Sequence, residues 1–234
     1  FSFLALFYSS AFAFIEFKKE KILSTNVPGV RGINFKPDGS IMYITNRVAN
    51  QDAYIVQYSL STPFDISTAT RTFDDGAGTK LTCSTDMKLP HAIEFKPDGT
   101  RMFITTNKDH SGNPGVAVYQ FKLTTAWDTS TLDCEKIFEV DITGDTPFED
   151  QVRTLTFKPD GTRMFVGGMT RDRIREYILT TPFDLRSGVS VGSLSASLAS
   201  SSDTSMRNIQ LHSDGTILYV AGDTNEYMYK YTLS

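Results

Sequence analysis

Helical periodicity is missing from this sequence: no stretch repeats apolar residues at the three- and four-residue spacing that buries one stripe of a helix. An all-β chain is what remains. Blocks of positive charge are missing too, since no run of lysine or arginine exceeds the pair Lys18-Lys19 and the net charge is -4 with a pI near 5.4. That balance argues against a nucleic-acid footprint. No apolar run reaches the roughly twenty residues needed to cross a bilayer, so stable membrane insertion is not expected. The three histidines, His91, His110 and His212, lack metal-ligand spacing, and neither a His-Glu-x-x-His helix nor a nucleophile elbow is expected. The densest acidic stretch, Asp141, Asp145, Glu149 and Asp150, is broken by Pro147 and does not follow the order of a calcium loop. No catalytic residue, metal or cofactor is therefore assigned.

What the chain does have is a repeat. Phe35-Lys36-Pro37-Asp38-Gly39 returns at residues 95–99 and 157–161, and a worn copy, Leu211-His212-Ser213-Asp214-Gly215, follows at 211–215. The period is about 60 residues, long enough for one supersecondary unit. Proline presets φ at the second turn position, aspartate bonds its own backbone, and glycine takes the positive φ that reverses the chain. Apolar residues follow each glycine, as in Met102-Phe103-Ile104 and Met164-Phe165-Val166, so each copy reads as a hairpin. These strands are apolar at successive positions and need cover on both faces. Four-stranded antiparallel sheets stacked radially about an axis supply that cover, which predicts a β-propeller of four visible blades over residues 14–234.

A Thr-x-aromatic-Asp string closes three of the units, ending in Phe64-Asp65, Trp127-Asp128 and Phe183-Asp184. Its aromatic is expected to plug the space between blades and its aspartate to cap a turn. Strand signals from Phe14 and from Glu226 to Leu233 belong to one closing blade or to a four-repeat piece of a larger ring, and the second reading is adopted here. Residues 1–13, with an apolar stretch and the small-x-small string Ala11-Phe12-Ala13, resemble the remnant of a signal peptide. Secretion or a periplasmic location is the corresponding expectation. Cys83 and Cys134 fall at different places in their repeats and are read as two separate thiols in outer strands.

The apolar–polar–Pro-Asp-Gly pattern followed by an apolar strand resembles the "SPDG" signature of exported bacterial propellers with YVTN-type or PD40-type repeats. The resemblance covers all four repeats and implies a propeller fold. It implies much less about activity, because such propellers include lactonases, quinoprotein relatives and adaptors.

Four places before the leading apolar residue of each turn stand Arg31, His91, Arg153 and Arg207. The innermost strand of each blade starts there, so the four should ring one mouth of the central channel. Two readings stand for them. They pair with nearby acids such as Glu149, Asp150 and Asp203, or they hold a small anionic ligand through converging guanidinium groups, with His91 as a titratable member. Lys36, Lys96 and Lys158 read as solvated turn residues. The long Gly/Pro-rich loop from Asn107 to Gly115, with Asp109, His110 and Asn113, is the expected contact for a protein partner. A non-enzymatic binding module is the favoured function. A lactonase-like hydrolase of an acidic substrate and a structural part of a surface or virion assembly are the alternatives.

Overall fold

The computed structural model describes residues 29–47, 52–72, 78–83, 87–108, 117–139, 152–168, 173–187, 189–197, 206–222 and 228–233. The leader, the strand from Phe14, the acidic stretch at 141–150, Asp203, and loop residues Asp109, His110 and Asn113 lie outside them. Asn107 belongs to the backbone of a strand.

Four antiparallel sheets follow one another along the chain. The first blade holds β1 (Val30–Phe35), β2 (Ile41–Arg47), β3 (Ala53–Leu60) and β4 (Ala69–Arg71), with the two-residue β5 (Thr79–Lys80) pairing further along β3. The second holds β6 (Lys88–Phe95), β7 (Arg101–Lys108), β8 (Ala117–Leu123) and β9 (Leu132–Glu139). In the third are β10 (Val152–Phe157), β11 (Arg163–Gly168), β12 (Arg173–Leu179) and β13 (Val189–Ser197). The fourth has three strands among the described residues: β14 (Met206–Leu211), β15 (Ile217–Gly222) and β16 (Met228–Thr232). The first strands, β1, β6, β10 and β14, pack side by side in chain order, which places them innermost.

Each hairpin turn is built as its residues require. Gly39 N–H donates to the Lys36 carbonyl at 2.8 Å, and Lys36 N–H to the Ile41 carbonyl at 2.9 Å. Asp38 Oδ1 accepts from the backbone N–H of Ser40 at 2.9 Å, and the same aspartate bond recurs in all four copies. The turn glycines have φ between 71° and 74°, where a side chain is strained. They also have a second reason to be glycine. The ring of Phe64, Trp127 or Phe183 lies where a Cβ would stand on Gly39, Gly99 or Gly161 of its own blade. The aromatic is thus the lid of its own hairpin as well as the expected plug between blades, a part that Trp127 and Phe183 fill. Only in the second and third blades does it also reach the inter-blade core, and Phe64 remains 58% exposed.

Successive apolar residues point to opposite cores, as double cover demands. Met102 and Ile104 of β7 pack between the first and second blades, whereas Phe103, between them in sequence, packs between the second and third. Each side chain of this size contributes about 1.5–3 kcal/mol when fully buried. Polar joints fix the blades in register. Gln57 of β3 accepts at 3.0 Å from both the N–H and the hydroxyl of Thr129, just past Trp127-Asp128 of the next blade. Gln120 repeats the joint with the Leu185 N–H at 2.7 Å. Around it, Arg101 reaches Glu135 at 3.0 Å and Asp184 at 3.1 Å, and Arg186 reaches both acids.

Cys83 and Cys134 are joined in a disulfide, with Cα atoms 5.1 Å apart. This overturns the expectation of two thiols. The argument from repeat position failed because the bond links the outer edges of adjacent blades, where neighbours need not be equivalent.

Alanine at Gly161 must adopt positive φ and displace the Phe183 ring, and should cost about 2–4 kcal/mol in denaturant unfolding. Gly215 has the same φ and no ring among the described residues above it, so Gly215→Ala should cost only about 1–2 kcal/mol. Equal costs would mean that the ring adds nothing. Reducing the disulfide, which closes a separation of 51 residues, should lower stability by about 4 kcal/mol on loop entropy.

Candidate functional site

The innermost strand of every blade is interrupted at the same place. Register shifts fall between Val30 and Ile33, Pro90 and Ile93, Val152 and Thr154, and Met206 and Asn208. Arg31, His91, Arg153 and Arg207 lie inside those four bulges, with Gly32 beside Arg31 and Ala92 beside His91. A bulge adds an unpaired residue to one strand and re-aims its side chain. All four line one cavity of about 400 Å³ at the axis. Arg31 and Arg207 are exposed, Arg153 is half-buried and His91 is buried.

The bulges also join blades. Thr45 accepts from the Gly32 N–H at 2.7 Å and donates to the His91 carbonyl at 2.8 Å, bridging the first bulge to the second. A side chain on Gly32 would collide with that carbonyl, so glycine is what lets the two inner strands approach. Thr154 plays a comparable part for the fourth blade, accepting from the Ile209 N–H at 3.1 Å.

The electrostatics of the ring differ from a simple set of four cations. Burial, followed by the charges of Arg153, Arg31 and Arg47, lowers His91 to about 4. It is therefore neutral at physiological pH and adds a dipole, not a charge; the expected titratable member titrates well below that range. Three residues along the same strand, Glu94 faces the same cavity. Burial pushes its carboxyl up to about 7, against the hydrogen bonds that Asn34 and the Phe95 N–H donate to it. Asn34 Nδ2 lies 3.3 Å from Glu94 Oε2 and 3.1 Å from the Ile93 carbonyl, so the acid is held across the blade boundary. Asn34, Glu94 and Gln210 occupy equivalent strand positions and form a polar tier beside the basic one.

Glu94 was legible as one acidic residue just before a turn, with nothing in its pattern to single it out. Lys36 and Lys96 are turn residues as expected, each paired with its own turn aspartate at 2.7 Å. His212 likewise sits in its turn, 2.9 Å from Asp214, far from the cavity lining. The string Gly188-Val189-Ser190-Val191-Gly192 does match the spacing of a nucleophile elbow, contrary to expectation. Its serine lies within β13, which starts at Val189, and not at a strand-to-helix turn, so it does not build one. Among the described residues no cluster of His, Cys, Asp or Glu could hold a metal ion.

Neither a protein-family model nor a curated protein matches the sequence. Solved structures do match, as propellers. A proposed 6-phosphogluconolactonase from Bacteroides uniformis aligns with a TM-score of 0.56 at 13% identity, covering 87% of this chain and 53% of its own. Hydrazine synthase of Kuenenia stuttgartiensis gives 0.57 at 12%, covering 86% and 58%. The Swd1 β-propeller domain of Myceliophteria thermophila gives 0.51 at 9%, covering 88% and 54%. The chain spans about half the length of the structures it matches, and at these identities the likeness is one of fold.

His91 and Glu94 should tilt stability in opposite directions with pH. His91 is lower in the folded state than the ordinary 6.5, so protonation of the unfolded chain weakens folding as pH falls from about 6.5 to 4. Glu94 is higher than the ordinary 4.5, so its contribution is full below that value and lost as pH rises through about 7. Denaturant midpoints of Glu94→Gln should lack the decline between pH 4.5 and 7, and a carboxyl resonance titrating near 4.5 in the parent would refute the assignment.

Proposed function

We propose that this protein is an exported propeller of the YVTN or PD40 repeat type that acts as a binding module, taking a small carboxylate- or phosphate-bearing anion at the mouth of its channel. The carrying observation is the set of four bulges that turn Arg31, His91, Arg153 and Arg207 into one cavity. A bulge spends a ladder hydrogen bond, and its recurrence at one level in every blade favours a common task for those side chains. Arginine suits that task because its planar fork grips carboxylate or phosphate with two parallel bonds. Neutral His91 supplies a donor without adding another desolvated charge. Export is supported by the leader-like residues 1–13 and by the inter-blade disulfide, since such bonds persist in oxidising compartments.

Glu94 favours a second reading, hydrolysis of an acidic ester or lactone. A carboxyl poised near neutrality facing three guanidinium groups is the arrangement a general base and an oxyanion clamp require. In that case Glu94 takes a proton from water as the water adds to the substrate carbonyl and returns it to the leaving oxygen as the ester C–O bond breaks, while the arginines hold the substrate's own acid.

Calorimetric titration with citrate as probe should show one site whose affinity falls with added salt, and Arg153→Gln with Arg207→Gln should weaken it by at least about tenfold. Binding indifferent to both changes would refute the channel-mouth site. Turnover of an acidic lactone with an inflection near pH 7 that vanishes in Glu94→Gln would move the protein to the second reading.

A further inference from the structure

The channel cavity has a second level beside the basic ring, and of the four blades only the second puts an acid there. Three residues along the innermost strands from Arg31, His91, Arg153 and Arg207 stand Asn34, Glu94, Thr156 and Gln210. In a regular strand, residues three apart point to opposite faces. The bulge adds one residue and so returns Arg31 with Asn34, His91 with Glu94, and Arg207 with Gln210 to the same cavity. Glu94 sits on β6, which has β1 on one side and β10 on the other, so both neighbouring blades are in place around it.

Other acids set into the blades are held by cations. Glu135 and Asp184 each have Arg101 and Arg186, Glu176 has Arg163, and Asp52 has Lys80 and Lys88. The described donors to Glu94 are neutral: the Asn34 amide, 3.3 Å from Oε2, and the Phe95 N–H. The charges of Arg153, Arg31 and Arg47 bear on His91, whereas Glu94 responds to its burial and to those two donors. The cavity therefore has two separate poles, roughly 7–10 Å apart along the strand. A desolvated carboxylate without a cation is costly. Amides at the matching positions of the first and fourth blades avoid that cost, and the acid of the second suits a cation that arrives from outside.

We propose that the ligand of the channel mouth is a zwitterion, a small acid whose far end carries an ammonium group: the arginine level takes the carboxylate or phosphate, and Glu94 takes the ammonium. This rests on the anion site proposed above and adds the chemistry of the ligand's second end. Charge then matches at both poles, and the ammonium supplies the ion pair that the blades do not provide for Glu94. Asn34 and Gln210 carry side-chain carbonyls at the same level, acceptors for the remaining ammonium N–H groups.

The test compares three acids of one length, 6-aminohexanoate, 6-hydroxyhexanoate and hexanoate, by calorimetric titration into the chain and into Glu94→Gln. At about pH 8, where Glu94 is ionised, the amino acid should bind at least about tenfold more tightly than the other two. Glu94→Gln should abolish that preference and leave hexanoate binding in place, a coupling that a merely structural carboxyl does not produce. The preference should also fade as pH falls from about 8 to about 5.5 and Glu94 gains its proton. The guanidinium charges of Arg31 on β1, Arg47 on β2, Arg153 on β10 and Arg207 on β14 do not change over that range, and His91 stays neutral. If citrate binds and the amino acid shows no advantage, or the advantage is shared by the hydroxy acid or survives Glu94→Gln, the zwitterion is overturned and the anion site stands. If neither citrate nor any of the three acids binds, the anion site falls and the zwitterion with it.

Discussion

A sheet that carries large apolar side chains on both faces cannot leave either face in water, and here the second strand of each of the first three blades does so. Met42 and Tyr43, Met102 and Phe103, and Met164 and Phe165 are neighbours in sequence that are nearly inaccessible, each pair divided between two cores. The second and third blades are therefore each only half of two hydrophobic interiors. Stacking is obligatory, and the radial arrangement follows from stacking twisted sheets whose first strands must meet. The channel is a by-product of that geometry. Its lining is not: the residues that reach it sit in bulges, which regular pairing does not require.

Burial shapes both the basic tier and the polar tier beside it. Burial first, and then the charges of Arg153, Arg31 and Arg47, keep His91 neutral, while burial raises Glu94 against the hydrogen bonds from Asn34 and the Phe95 N–H. An anion entering the mouth would meet the half-buried guanidinium of Arg153, where a contact is stronger than on an open surface. The same anion would raise the carboxyl of Glu94 further by like-charge repulsion, so ligand and proton uptake are linked.

Much of this was legible in the sequence because it repeats. The turn motif marks one φ > 0 position per blade, and counting back four residues finds the ring at the cavity. What was not legible depends on contacts between unlike positions. Cys83 meets Cys134 across a blade boundary, and no spacing rule within a repeat relates them. Gln57 and Gln120 look like incidental polar residues in apolar strands; their partners Thr129 and Leu185 lie in the following repeat, 72 and 65 positions on. The aromatic of the Thr-x-aromatic-Asp string hid a local role behind an apparent long-range one. Glycine at the turn already had a sufficient reason in its φ, which masked the ring above it.

The polar joints at the turns reach forward along the chain: Tyr43 and Gln57 hold the turn of the second blade, and Arg101 and Gln120 hold that of the third. During synthesis the receiving side chains thus leave the ribosome before the segment they receive. Each newly made blade finds its docking groups already ordered on the one before, and the order of translation becomes the order of assembly.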